Sequence, residues 1–465
     1  MCLALAVLLL QGKCLSQPVA DAGVDLIAVF TVQAEGQRAI ARVLTRAPNC
    51  PAIVWNGRYA QTMTTRVGPT TAAIRGDSAQ SDSKPAVFDV RTCESNWPVG
   101  ITSASVGRHT VPSPHTKIHH VVIIADTGCR MKGSEKAFQP CNDGGLWPFA
   151  RIAKSAAALK PDLVVHIGDI HYRESPCPAD LAGCADSPWG YGVDAWQADL
   201  FDPARPLLAA APWVFVRGNH ESCARAGQGW FRFVDAQPWT PQRSCNDIVN
   251  DDAADFSEPY AVTLDANTQF IVFDSSKSSG KPYMSTDPAF AKYVDEMQEV
   301  ERLTKKKPNS IFMSHHPLHA VVPSKNDHDS FTSVGSKGLQ SAFSTMYPER
   351  LLPQGVSVAM HGHVHLFESI SFAGTKPASL VLGNAGSANE GRVPTSLPAG
   401  TELYPGAVVQ DYAARAEYGF ATLDRVDGKP AGRWLLTEYT EMGEPVMRCT
   451  ITDGKSRCKN VDQRQ

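Results

Sequence analysis

The stretch "DLVVHIGDIHYRES", residues 162–175, decides how this chain is read. Leu163, Val164, Val165 and Ile167 make a near-continuous apolar run, the pattern of a strand buried on both faces of its sheet. The run ends at Gly168 and Asp169, so a carboxylate sits just past the end of a buried strand. Open α/β sheets bind their ligands at that edge. Tyr172 follows three residues later. It is either a metal ligand or an aromatic that packs its ring and bonds its hydroxyl beside a working carboxylate.

The same rhythm recurs on both sides. "HHVVIIAD" (119–126), "WVFVRGN" (213–219), "QFIVFDS" (269–275), "SIFMSH" (310–315), "VSVAMHGH" (356–363) and "SLVLGNAG" (379–386) are apolar runs that end in polar residues capable of chemistry. Helical stretches lie between several of them, among them "WPFARIAKSAAALK" (147–160) and "FAKYVDEMQEVERLTKKK" (290–307). Alternation of this kind predicts α/β architecture. Residues 25–118 differ. "DLIAVFTVQ" and "AIARVLT" are β-rich, "GDSAQSDSKPAV" is a polar loop, and "GRHTVPSPHTK" is a Pro-containing linker. A small N-terminal β-sandwich-like domain over 25–118 is expected, followed by a catalytic unit over 119–465. "YGFATLDR", "GRWLLTEYT" and "PVMRCTIT" predict C-terminal antiparallel strands that close a second sheet.

The composition is that of a globular protein. The chain has 465 residues, 43% hydrophobic and 20% charged, with a net charge of −3. That balance gives no reason to expect nucleic acid or an anionic membrane as a partner, and nothing in it specifies an oligomeric state. Residues 3–10 are an apolar run too short to span a bilayer and of the length of a signal-peptide core. Residues 1–16 are expected to be a signal peptide, cleaved after Ser16 or, alternatively, after Ala22. No other stretch is long and apolar enough for a membrane helix. Setting aside Cys2 and Cys14, the twelve cysteines leave ten, which fall as near neighbours: Cys50 and Cys93, Cys129 and Cys141, Cys177 and Cys184, Cys223 and Cys245, Cys449 and Cys458. Pairing in that order suits an oxidising compartment, so a secreted or periplasmic location is expected.

The strand ends carry a consistent chemistry. Asp126, Asp169, Asn219 with His220, His315, and His363 with His365 follow successive apolar runs, spaced so that one or two βα units separate them. Carboxylates, imidazoles and an amide oxygen suit hard to borderline cations. A carboxylate shared by two cations about 3.5–4 Å apart is the arrangement of two-metal hydrolytic sites.

In order, "GD", "GNHE", "SHHP" and "GHVH" resemble the calcineurin-like metallophosphoesterase superfamily over roughly residues 119–390. Within it the pattern is most similar to purple acid phosphatases: "DTG" at 126–128, "GDIHY" at 168–172, "GNHE" at 218–221, "FMSH" at 312–315 and "GHVH" at 362–365. Ala125 stands where that pattern has Gly and Phe312 where it has Val; neither change removes a ligand. The resemblance implies a four-layer αββα sandwich, two metal ions and hydrolysis of phosphate monoesters on a small phosphorylated substrate. By the same resemblance Asp126, Asp169, Tyr172 and His365 hold ferric iron. Asp169, Asn219, His315 and His363 hold a divalent metal (zinc, manganese or iron), with Asp169 bridging. A metal-bound hydroxide then attacks phosphorus in line, and His220 stabilises the transition state and helps to protonate the leaving oxygen. A second acid/base histidine has no clear match; His316, His319 and His328 are the candidates. Two other readings stay open: a phosphodiesterase of the same fold with two divalent metals and Tyr172 merely packed, and a non-catalytic surface or binding protein on this scaffold.

Several neighbours have plainer readings. His171 reaches substrate or is a surface-loop residue. Glu221 supports backbone, His361 belongs to the core, and Asp274 is structural. Arg217 touches phosphate or lies on the surface.

Overall fold

The structure is a computed structural model and describes residues 25–75, 83–324, 327–426 and 433–461. The expected signal peptide lies outside the described residues, as does the side chain of His328.

Two packed sheets organise the chain. In the first, the strands His120–Ile124, Leu163–Ile167 and Trp213–Val216 run parallel. In the second, Thr268–Phe273, Asn309–Ser314, Val356–His361 and Ala378–Leu382 run parallel. Period-two alternation explains the layering. Phe270 and Val272 join the core shared by both sheets, whereas Ile271 and Phe273 turn the other way. There they meet Tyr293, Met297 and Val300 of the helix Pro288–Thr304, and Leu339 and Phe343 of the helix Lys337–Phe343. On the far side of the first sheet, the helix Phe149–Ala158 buries Phe149, Ile152, Ala153 and Ala156. Helix, sheet, sheet, helix is the expected four-layer αββα sandwich, with the β-rich N-terminal region attached.

The β-rich N-terminal region expected over 25–118 is present, and its strands share a sheet with those of the catalytic unit. Leu26–Gln33 pairs in parallel with Trp213–Val216 through Val32 and Trp213. Ala39–Thr45, Arg91–Asn96 and Thr64–Val67 then extend the same sheet outward. The physical reason is the open edge left at Trp213–Val216, whose backbone groups need partners. The sandwich-like part is the cover of this extension: Ile53, Trp55, Ala104 and Val106 pack on Ala41 and Val43. Two buried arginines tie the region in. Arg42 donates to the carbonyls of Phe233 and Asp235, and Arg66 to those of Phe231 and Gln237.

The C-terminal strands differ from expectation. Gly419–Arg425, Trp434–Thr440, Pro445–Thr452 and Lys455–Asn460 add to the first sheet, beside His120–Ile124, rather than closing the second. Val409–Arg415 is the late strand that joins the second sheet. Disulfides join Cys50 to Cys93, Cys129 to Cys141, Cys177 to Cys184, Cys223 to Cys245 and Cys449 to Cys458, the neighbour pairing expected. No helix among the described residues is long and apolar enough to cross a membrane.

Candidate active site

The parallel strands of both sheets end at one place. There the backbone departs from ordinary geometry. Asp126, Asp169 and His363 have φ of 56°, 54° and 71°. A left-handed backbone is unfavourable for residues with a Cβ and clusters where function over-determines it. Gly168, at φ 81°, allows the approach of the second sheet: a Cβ there would lie 2.6 Å from His315 Nδ1. Gly218 packs against Asp169 so closely that its backbone also has no room for a side chain.

Tyr172 is 1% exposed, and its hydroxyl stands in the middle of a triad. It donates to Asp126 Oδ1 at 2.7 Å and lies 3.2 Å from Asp169 Oδ2 and 2.8 Å from His365 Nε2. Burial, then the Asp126 and Asp169 charges, push the phenol well above its ordinary pKa. Asp199 fixes the loop from behind, accepting from the backbone N–H of Tyr172 and of Cys129 and from Arg173 Nε.

Asp169 reaches the other side as well. Its Oδ2 lies 3.0 Å from His315 Nε2 and 3.7 Å from His220 Nε2, and its Oδ1 accepts from the His220 N–H. Burial alone raises this carboxyl, but the His315 and His220 charges outweigh it and hold it well below the usual range. One ligand atom each from Asp169, His315 and His363 falls within 4.8 Å of the others.

Two of the imidazoles are aimed by their second nitrogen. His315 Nδ1 meets the Ile167 carbonyl at 2.8 Å, and His365 Nδ1 meets the Ala388 carbonyl at 2.7 Å. In both cases Nε2 is left facing the centre, the way metal-ligating histidines are usually oriented. Two buried atoms there lack a hydrogen-bond partner: Asn219 Oδ1, and His315 Nε2, which lies near Asp169 but out of line for a bond. Orphaned buried acceptors normally have an unseen partner. Oxygens and imidazoles converging on one spot, with the orphaned amide oxygen of Asn219 beside them, fit divalent or trivalent cations. Asp126, Asp169, Tyr172, His315, His363 and His365 meet at this centre, and Asn219 lies in the chain between Gly218 and His220, both of which pack against Asp169.

The acid/base candidates separate. His316 is at the centre, its ring 4.2 Å from that of His363 and its Nδ1 3.3 Å from Ser275 Oγ. The His319 ring packs instead on Phe372 and Tyr404, at 4.8 and 6.0 Å, in a separate aromatic cluster. His220 stacks on Tyr172 with ring centres 3.9 Å apart. Its Nδ1 is 2.9 Å from Glu174 Oε1, and Arg225 bridges the same two groups. Sequence reading missed Glu174, Arg225 and Asp199. All three act across the fold, and no local pattern marks them.

Other neighbours fall as follows. Glu221 accepts from the backbone N–H of Gly218, Asp169, Ile170 and His171, so it builds the loop that presents Asp169. Burial and the nearby Asp169 push its carboxyl up to about 7. His361 is in the core, bonded to Ser314 through Nδ1. Asp274 is structural and pairs with Arg217. Arg217 itself is neither at the surface nor turned toward a phosphate. It is 2% exposed, donates to the Glu221 and Ala254 carbonyls and stacks over Phe231. His171 is not a surface-loop residue either. It is fully buried against Tyr191 and Trp196, because the loop folds inward under Glu221.

The comparisons with known proteins agree with this geometry. Residues 119–367 match the family model for calcineurin-like phosphoesterases. That is more than half of the chain, and the chain belongs to this family. It is therefore a phosphoesterase, and the family implies a dinuclear metal centre. Among solved structures, the purple acid phosphatase PPD1 from yellow lupin (Lupinus luteus) is similar with a TM-score of 0.50 and 15% identity, covering 95% of this chain and 75% of that one. PhoD is similar with a TM-score of 0.54 and 11% identity, covering 94% and 92%. At these identities the likeness is one of fold. No curated protein sequence matches the chain significantly.

Proposed function

We propose that this protein hydrolyses phosphate monoesters at a two-metal centre of the purple acid phosphatase kind. The observation that carries the reading is the Tyr172 hydroxyl, held among Asp126, Asp169 and His365 by 2.7, 3.2 and 2.8 Å contacts. A tyrosine that only packed would need one partner for its hydroxyl, not three groups that each favour a cation. Asp126, Asp169, Tyr172 and His365 would hold a ferric ion. Asp169, Asn219, His315 and His363 would hold a divalent ion of zinc, manganese or iron, with Asp169 shared. Bound there, two cations supply Lewis acidity toward a phosphoryl group and toward water.

The chain's own residues do the rest. His220 is 7% exposed at the mouth of the centre and is the proton carrier for the leaving oxygen. Burial, then the charge of Arg225, lower its pKa, while Asp169 and Glu174 work against that. Glu174 and Arg225 fix its ring. His316, beside His363, is the second candidate for handling a proton. Export to an oxidising compartment accords with five disulfides.

The test is a comparison of kcat/KM on p-nitrophenyl phosphate and on bis(p-nitrophenyl) phosphate, with the metal content of the same preparation. The expected result is a preference for the monoester in protein that carries iron and one other metal. A preference for the diester with two divalent ions would put the phosphodiesterase reading in its place. No turnover of either ester by fully metallated protein would favour the non-catalytic one.

A further inference from the structure

A second buried polar cluster lies away from the metal centre. His319, His361, Arg350 and Lys376 line a small cavity behind the second sheet, together with Ser379 and apolar residues. The space open to the centre of a water-sized particle is about 10 Å³, room for one small ion or one water. No lining residue is acidic.

Each of the four brings a buried nitrogen without a hydrogen-bond partner: His319 Nδ1, His361 Nε2, Arg350 Nε and Lys376 Nζ. Lys376 is 3% exposed. Among the described residues no carboxylate pairs with its ammonium, which lies 5.3 Å from the centre of the Tyr404 ring. Arg350 spends its other nitrogens on the carbonyls of Thr375, Pro353, Gln354 and Val356. Two cationic groups therefore line one small space that holds no carboxylate of its own, and the charges of Glu349 and Glu402 reach Lys376 only from outside it. A buried charge is strongly unfavourable unless something neutralises it.

We infer that this cavity binds a small monatomic anion of the chloride or bromide type, held by Lys376 Nζ, Arg350 Nε and the Nδ1–H of His319. His361 closes the wall; its Nδ1 is engaged with Ser314, so in its neutral form it adds no donor. The space rules out phosphate or sulfate. The site also has a structural meaning. His319 follows His315 by four residues and His361 precedes His363 by two, so one ion braces both turns that carry these proposed ligands.

The test uses the wild-type, metal-loaded protein. Crystals grown in sodium bromide should show an anomalous difference peak in the cavity beside Lys376. In solution, Tm should rise saturably in chloride but not in gluconate at equal ionic strength. The gain should be roughly 1–2 °C when chloride exceeds its half-saturating concentration tenfold. Lys376→Met should abolish that difference. A refined water with no anomalous peak, or equal Tm in the two salts, would overturn the proposal. If Lys376→Met does not fold, the two wild-type measurements decide alone.

Discussion

The metal centre and the Lys376 cavity are both clusters of buried polar atoms, built partly from the same turns. His315, His363 and His365 face one, while His319 and His361 line the other. Their companions differ. The first gathers Asp126, Asp169 and Asn219, so its imidazoles converge with anionic and neutral oxygens. The second gathers Lys376 and Arg350 and no acid. The same residue type, histidine, thus serves a cation site in one place and an anion site in the other. The sign of the neighbours decides which.

Buried acids teach the same lesson. Asp169 is held well below the carboxylate range, because the His315 and His220 charges outweigh its burial. Glu368, fully buried on the second sheet, is pushed up to about 8 by burial, which outweighs the hydrogen bond from the Val321 N–H and the opposing effect of Tyr412, and no cation opposes it. One acid is held charged by the cations beside it; the other is kept neutral by its surroundings.

The largest expected break in the contrast comes from Asp169→Asn. The shared carboxylate touches both halves of the centre, so metal content should fall and kcat/KM on a monoester should drop by at least about 10³-fold. A variant that kept both metals would place the bridge elsewhere. Next is Glu174→Gln, which weakens the hold on His220 without touching a proposed ligand. It should retain metal and lose roughly 10- to 100-fold in kcat. Unchanged kcat, measured beside unchanged metal content, would show that Glu174 does not position His220 for the reaction. The smallest effect concerns Glu368→Gln. A carboxyl whose folded pKa is about 8 against an ordinary 4.5 contributes stability that is complete below pH 4.5 and is lost as pH rises to about 8. The variant should therefore gain stability over wild type at pH 8 and nothing at pH 4.5, as read by urea unfolding at the two pH values. Equal differences at both would mean that Glu368 titrates normally.

What the sequence made legible follows from locality. Asp126, Asp169, Asn219, His315 and His363 each end an apolar run, and a strand end is a local feature. The disulfide pairs are near neighbours, so pairing in order is the natural expectation, although spacing alone does not fix connectivity. Placement across the fold could not. Nothing within Leu26–Gln33 says that it will complete the edge at Trp213–Val216, nor within Gly419–Arg425 that it will lie beside His120–Ile124. Pairing of that kind depends on which backbone edge is left open. Arg217, His171 and Lys376 were obscure for a related reason. Charged and polar residues next to loops read as surface residues, and only the packed structure shows that each is enclosed. The hold of Glu174 and Arg225 on His220 likewise exists only in three dimensions.

The most direct test of the central claim is metal analysis with a visible absorption spectrum on wild type and Tyr172→Phe, both purified without added metal. The account predicts one iron and one divalent metal in wild type, with a visible band that disappears in Tyr172→Phe. Two divalent ions in a colourless wild-type protein, or a band that survives the substitution, would contradict it and leave Tyr172 as a packing residue.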